Sequence, residues 1–242
     1  MDIKIQGFGA ESIAGVPHRF ENSFFHLATE RLRLESPHNL SSSLFTLSEF
    51  SAPRAIQHLP THGLAEKPDI VVLQFGSSDL RISLRRKSIP EAMANRSGAT
   101  AHSAGPARPL YWQLQGLIGD LLQLPSVTAP EAYLEAMNQM IRIVAAYDAV
   151  PVVMSPFVIG SPRSDRVARQ CVPVLAKVVA AVPEARYLDA YSVLDKFPRR
   201  EILLRDGIHL TIQGQVLVAE GLFTLLARLL REQETMAAGK AA

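Results

Sequence analysis

Residues 70–75, Ile-Val-Val-Leu-Gln-Phe, constrain the fold of this chain more than any other segment. The run is apolar almost throughout and ends at Gly76, so it reads as a short strand buried on both faces. A strand of that kind sits inside a sheet covered by helices on each side, and such sheets are mostly parallel. The flanking segments agree. Residues 2–8, 42–48, 151–157 and 185–190 read as further strands, and helical periodicity falls at 20–34, 130–147, 163–181 and 212–231. Strand alternating with helix predicts crossover connections and a three-layer α/β/α sandwich.

At 242 residues and 48% hydrophobic, the chain can bury one full core, and residues 1–232 read as a single domain. The tail, 233–242, ends Ala-Ala-Gly-Lys-Ala-Ala, has little to bury and is expected to be flexible. A formal net charge of +2 with 20% charged residues provides no large single-sign field, so neither nucleic acid nor membrane is expected as a partner. The single cysteine, Cys171, excludes an intramolecular disulfide and reads as a packing residue. With no long apolar run and no basic, apolar leader pattern, a cytoplasmic location is the expectation.

Residues 81–129 are too long for an ordinary strand-to-helix connection and read as an insertion. Arg81, Arg85, Arg86 and Lys87 open it as a basic cluster, of which Arg85, Arg86 and Lys87 read as a solvated charged face or, in the alternative, as a receptor for an anionic substrate. Its second half, Leu110 to Leu122 with Trp112, has helical spacing. That helix is expected to pack over a site and control access to it or to offer a self-association surface, unless Trp112 merely anchors the insertion on the core. Oligomeric state itself is not written in these residues.

The chemistry concentrates in Asp206-Gly207-Ile208-His209-Leu210-Thr211, just ahead of the last helix. An Asp three residues before a His can turn its carboxylate onto Nδ1, which fixes the tautomer and leaves Nε2 to accept a proton. Thr211 is placed to cap the following helix and so to pin the loop. Ser12, in Gly7-Phe8-Gly9-Ala10-Glu11-Ser12, follows the first strand and is the candidate nucleophile. A third segment, Phe75-Gly76-Ser77-Ser78-Asp79, follows the buried strand and offers hydrogen-bond donors for an oxyanion. Three strand ends then meet at the carboxyl edge of the sheet, where parallel sheets place their sites.

With these three pieces in this order, nearly the whole chain resembles the SGNH (GDSL-like) hydrolase superfamily, whose members place a Ser after strand one, G-x-N-D after a central strand and D-x-x-H before the last helix. The segment Lys67 to Gly76 is similar to that family's approach to its third block. The resemblance implies a flavodoxin-like sandwich with a five-stranded parallel sheet. By it, Ser12 corresponds to the nucleophile, His209 to the general base and acid, and Asp206 to the residue orienting the imidazole. It also implies a serine esterase or deacetylase needing no cofactor and no metal, with a small ester or acylated carbohydrate as substrate. An acyltransferase, or a catalytically weak binding protein on the same fold, is the alternative. The chain departs from the family pattern in three blocks. Ala10-Glu11-Ser12 stands where the family usually has G-D-S, Ser78 replaces the oxyanion-hole asparagine, and Ser48 is the positional counterpart of the second block's glycine.

Other patterns are weaker. Gly7-x-Gly9-x-x-Ser12 resembles a dinucleotide fingerprint, yet residues 41–47 supply no acidic residue for a ribose. His58 and His62 have metal-ligand spacing, but Pro60 between them opposes a regular helical turn. Glu11 either tunes the site beside Ser12 or bonds its own turn, and Asp79 is expected to bond its own turn.

Overall fold

The computed structural model describes residues 2–46, 51–82 and 125–241. Five strands, β1 (Asp2–Gly9), β2 (Asn39–Thr46), β3 (Ile70–Gln74), β4 (Val150–Met154) and β5 (Arg186–Leu188), form one sheet in the order β2-β1-β3-β4-β5. Every pairing is parallel. The helices are α1 (Phe24–Glu35), α2 (Ala52–Ala55), α3 (Pro130–Ala146), α4 (Pro162–Ala180), α5 (Ala190–Leu194), α6 (Arg199–Ile202) and α7 (Ile212–Ala241). Helix α1 packs on α7, and α3 packs on α4. This is the flavodoxin-like three-layer sandwich expected from the alternation of elements.

All five residues of β3 are buried, as the apolar run requires. Phe8, Phe24, Phe75 and Phe157 are fully buried around it, each stabilising the fold by about 2–3 kcal/mol relative to exposure. Strand β2 lies at the sheet's edge and begins at Asn39, earlier than the 42–48 expected. Ser41, Ser42 and Ser43 carry no apolar signal, so their strand state comes from pairing with Lys4, Ile5 and Gln6 of β1. Helix α1 starts at Phe24 because the Ser23 hydroxyl caps it, accepting from the His26 N–H at 3.1 Å. Residues Phe20–Asn22 form a separate 3₁₀ turn.

Helix α7 runs beyond residue 231 to Ala241, into the segment expected to be flexible. Its later turns are tethered by polar contacts invisible to an apolar pattern, Glu232 to Arg186 at 3.4 Å and Glu234 to His38 at 2.6 Å. Residues Ile212–Thr235 are long and apolar enough to cross a membrane by length and composition alone. Val218, Leu222, Leu226 and Leu229 are instead buried in the protein core, which accounts for the apolar character.

The chain passes from β1 through α1 to β2, then returns past β1 to β3 on the other side. Connections leaving β1 and β3 therefore diverge, the topology that places sites at the carboxyl ends of an open parallel sheet. Beyond β3, Ile82 bridges Ser126 in antiparallel fashion, and the Val127 and Thr128 N–H groups donate to the Arg81 and Asp79 carbonyls at 2.9 and 2.8 Å. Most of the segment between these contacts, including Arg85, Arg86, Lys87 and the helix expected around Trp112, lies outside the described residues, as does Ser48.

Candidate active site

The loop that carries His209 is closed by its own backbone. Leu203 and Leu210 form an antiparallel bridge, the Leu204 N–H donates to the His209 carbonyl at 2.8 Å, and the Gly207 N–H donates to the Leu204 carbonyl at 2.9 Å. Gly207 has φ 71°, the left-handed region that a side chain would strain. Its carbonyl accepts from the Gly160 N–H at 2.7 Å, and a Cβ on Gly160 would lie 2.7 Å from Gly207 Cα. Two glycines thus let the loop after β4 and the His209 loop touch backbone to backbone. Thr211 caps α7 as expected, accepting from the Gly214 N–H at 3.1 Å and donating to the Glu201 carbonyl at 2.6 Å.

Inside this loop Asp206 Oδ1 accepts the N–H groups of Ile208 and His209 at 2.9 and 3.0 Å. Asp206 Oδ2 lies 2.6 Å from His209 Nδ1. A carboxylate held by two backbone donors cannot swing away from the ring, so Nδ1 carries a proton and Nε2 faces outward. Burial would raise the Asp206 carboxyl, but the His209 ring and the two N–H donors outweigh it and leave the group below the usual carboxylate range. Burial would likewise lower His209, and the hydrogen bonds and charges of Asp206 and Glu11 outweigh that and raise it to about 9.

Ser12 stands at the carboxyl end of β1. The Ala10 N–H continues the ladder to the Gln74 carbonyl at 3.0 Å, and a Cβ on Gly9 would meet that same oxygen at 2.4 Å. Gly9 therefore serves the close approach of β3. The 3₁₀ turn Glu11–Ala14 follows, with Ser12 buried at 4% exposure. His18 Nε2 sits 3.0 Å from the Leu210 carbonyl, stitching the segment after Ser12 to the residue after His209. Ser12 and His209 nevertheless share no hydrogen bond. His209 Nε2 faces Glu11 Oε2 at 3.7 Å. Glu11 thus turns toward the imidazole, and its adjacency to Ser12 was the only sequence signal for that.

At the third strand end Asp79 is fully buried and joins three segments. Its Oδ1 accepts the Ala52 N–H at 2.7 Å and the Thr128 hydroxyl at 3.1 Å, and its Oδ2 accepts the Gly76 N–H at 3.1 Å. The Gly76 contact is the bond to its own turn expected from sequence, while those to Ala52 and Thr128 reach further. The Ser77 hydroxyl is engaged in the fold, accepting the Phe157 N–H at 3.2 Å. Ser78 is half-buried, and its hydroxyl makes no hydrogen bond among the described residues. Sequence reasoning missed Gly160 and Asp165. Asp165 accepts the Ile159 N–H at 2.9 Å and the Tyr191 hydroxyl at 2.9 Å, fixing the loop that carries Gly160. The signal available was Gly160-Ser161-Pro162, a turn and helix start after a strand.

The weaker motifs resolve simply. Gly7 and Gly9 lie within β1, where added Cβ atoms would meet Leu44, Phe25 and Gln74, and the turn that follows is one 3₁₀ turn. A dinucleotide fingerprint needs its glycines in the turn and a full helix after it. His62 stacks on Phe45 at 4.4 Å, with Thr61 Oγ1 at 2.8 Å from its Nδ1. Burial pushes the Cys171 thiol up to about 11, with Glu131 adding to it, so that group stays a neutral packing residue.

The Asp206–His209 pair and the turn that carries Ser12 thus lie on loops at the carboxyl edge of a parallel sheet, where open α/β sheets place their sites. No protein-family profile and no curated protein matches the sequence. Solved structures do match. A lipase/acylhydrolase from Enterococcus faecalis superposes with a TM-score of 0.65 at 18% identity, covering 92% of this chain and 94% of that one. An acetylxylan esterase from Geobacillus stearothermophilus gives 0.66 at 12% identity, covering 92% and 93%. The esterase EstA from Pseudoalteromonas sp. gives 0.59 at 12% identity, covering 94% and 98%. The fold is that of the SGNH, or GDSL-like, lipases and esterases.

Proposed function

We propose that the protein is a serine esterase acting on small acyl esters, with an acetylated carbohydrate as its substrate class. The observation that carries the reading is the Asp206–His209 pair, 2.6 Å apart and locked by two backbone N–H groups, on the loop joined through His18 to the Ser12 segment. Similarity to esterases supports it. Catalytic mutants of the acetylxylan esterase replace a serine and a histidine by alanine. The carbohydrate substrate is drawn from that neighbour.

In the reaction Ser12 Oγ attacks the acyl carbonyl while His209 Nε2 takes the hydroxyl proton. The tetrahedral intermediate collapses, and the imidazolium returns the proton to the departing alkoxide, leaving an acyl-serine. Water, deprotonated by Nε2, then attacks that ester, and the proton returns to Ser12. Asp206 stays ionised throughout and stabilises the imidazolium. Wild type is expected to take a single fluorophosphonate adduct by intact-mass analysis, and Ser12→Ala and His209→Ala are expected to abolish it. EstA was captured with monoethylphosphonate, so the chemistry suits the fold. A folded wild type that forms no adduct on long exposure would defeat the esterase reading.

By the family resemblance, Ser78 stands in for the oxyanion-hole asparagine and brings a hydroxyl, a shorter donor than an amide. Ser78→Asn is expected to raise kcat by about tenfold or more, since one well-placed donor is worth about 3 kcal/mol in the transition state. An unchanged kcat in steady-state hydrolysis of p-nitrophenyl acetate would show that Ser78 does not face the oxyanion.

A further inference from the structure

The catalytic assignment leaves unexplained why His209 Nε2 faces a carboxylate. Glu11 Oε2 stands 3.7 Å from Nε2, while Asp206 Oδ2 stands 2.6 Å from Nδ1. The imidazole is thus flanked by an acid on each ring nitrogen. The residue next to the nucleophile occupies the direction in which the nucleophile's proton must travel.

We infer that Glu11 is a positioning residue that holds His209 in a charged resting state with Nε2 toward its own carboxylate, and that substrate or loss of the ring proton must release it before Ser12 is activated. The inference rests on the esterase reading and deepens it. A carboxylate 3.7 Å from Nε2 lies beyond hydrogen-bond reach, yet its charge favours a proton there, and a doubly protonated ring cannot act as a base. Glu11 is the first residue of the 3₁₀ turn with a side chain 35% exposed, so it can swing into solvent without disturbing the core. Asp206, with its backbone donors, cannot.

Among the described residues, the charged groups that raise His209 are Asp206 and Glu11. Beneath it the loop after β4 contributes Gly160, which bonds Gly207. The segment after Ser12 contributes His18, whose Nε2 is engaged with the Leu210 carbonyl at 3.0 Å. On its own loop the group facing the ring is Asp206. The value of about 9 for His209 follows from that arrangement, because two acids outweigh the burial that opposes charge. An imidazole so raised is almost wholly protonated at neutral pH, and each unit removed makes about ten times more of the base available.

The test follows the His209 ring nitrogens by ¹⁵N NMR titration in wild type, Glu11→Gln and Glu11→Asp, with His209→Gln to assign the resonance. Glu11→Gln is expected to lower the His209 titration by about one pH unit or more, and Glu11→Asp to keep most of the elevation. In parallel, the pH profile of Ser12 labelling by a fluorophosphonate should move down by the same amount in Glu11→Gln, with labelling at pH 7 rising about tenfold. A residue that only shapes the turn would change stability and leave both profiles in place. An unmoved His209 titration in folded Glu11→Gln would overturn the inference whatever the labelling does. If the titration moves while wild type takes no label at any pH, the esterase reading fails, and with it the role in Ser12 activation. The Glu11–His209 coupling would stand alone.

Discussion

Asp206→Asn is expected to reduce kcat/KM for ester hydrolysis by about 10⁴-fold while leaving the protein folded. The asparagine can keep its carbonyl at the Ile208 and His209 N–H groups, which Asp206 Oδ1 occupies at 2.9 and 3.0 Å. That orientation points an amide NH₂ at His209 Nδ1, where Oδ2 now lies at 2.6 Å. Two donors would face each other, so the neutral ring must carry its proton on Nε2 and lose its ability to accept one from Ser12. The imidazolium formed during attack also loses its counter-charge. Wild-type rate should climb with pH toward a plateau above about 9, because the base form of His209 appears only as that group deprotonates. Asp206→Asn should lack that plateau. Steady-state rates on p-nitrophenyl acetate across pH 6–10 read both effects, and a variant within tenfold of wild type at its plateau would remove Asp206 from the mechanism.

Asp79→Ala is expected to destabilise the fold by about 4 kcal/mol, out of the roughly 5–15 kcal/mol that holds a domain together. The carboxylate is fully buried and serves the Ala52 N–H, the Gly76 N–H and the Thr128 hydroxyl. Burial raises its carboxyl, and those three bonds oppose the rise, so the group depends on them as they depend on it. Removing it strands buried donors that each cost about 1–3 kcal/mol unpaired. The three partners lie at the start of α2, at the turn after β3 and before α3, so the loss also frees the turn that presents Ser78. Asp79→Asn keeps one acceptor but sets an NH₂ against one of the donors, for a smaller cost of about 2 kcal/mol. Urea unfolding gives both values, and an Asp79→Ala midpoint equal to wild type would show that water replaces the carboxylate without loss.

Much of the fold was legible because its signals are local. The apolar run 70–75 could be only an interior strand, and the alternation of elements left little besides a covered parallel sheet. The Asp206–His209 pair was legible for the same reason, since three residues of chain bring the two side chains together. The start of edge strand β2 was missed because Asn39, Leu40 and Ser41 become strand through pairing with Asp2, Ile3 and Lys4 of β1. The course of α7 beyond residue 231 depends on Arg186 and His38, which are remote in sequence. Glu11 was visible as a neighbour of Ser12, but its direction was not, because a side chain on a one-turn helix points wherever the opposing loop lets it.

Periodicity and short spacings, which act through neighbours along the chain, were enough to set the layers of this protein, the order of its elements and the candidate site residues. Only the tertiary structure decided how those residues face one another. Gly160 against Gly207 sets the height of the His209 loop, Asp79 draws the turn after β3 to α2, and Glu11 faces Nε2 where a hydroxyl was expected. Each of these contacts joins segments far apart in sequence, so its geometry exists only once the sheet has brought the strand ends together.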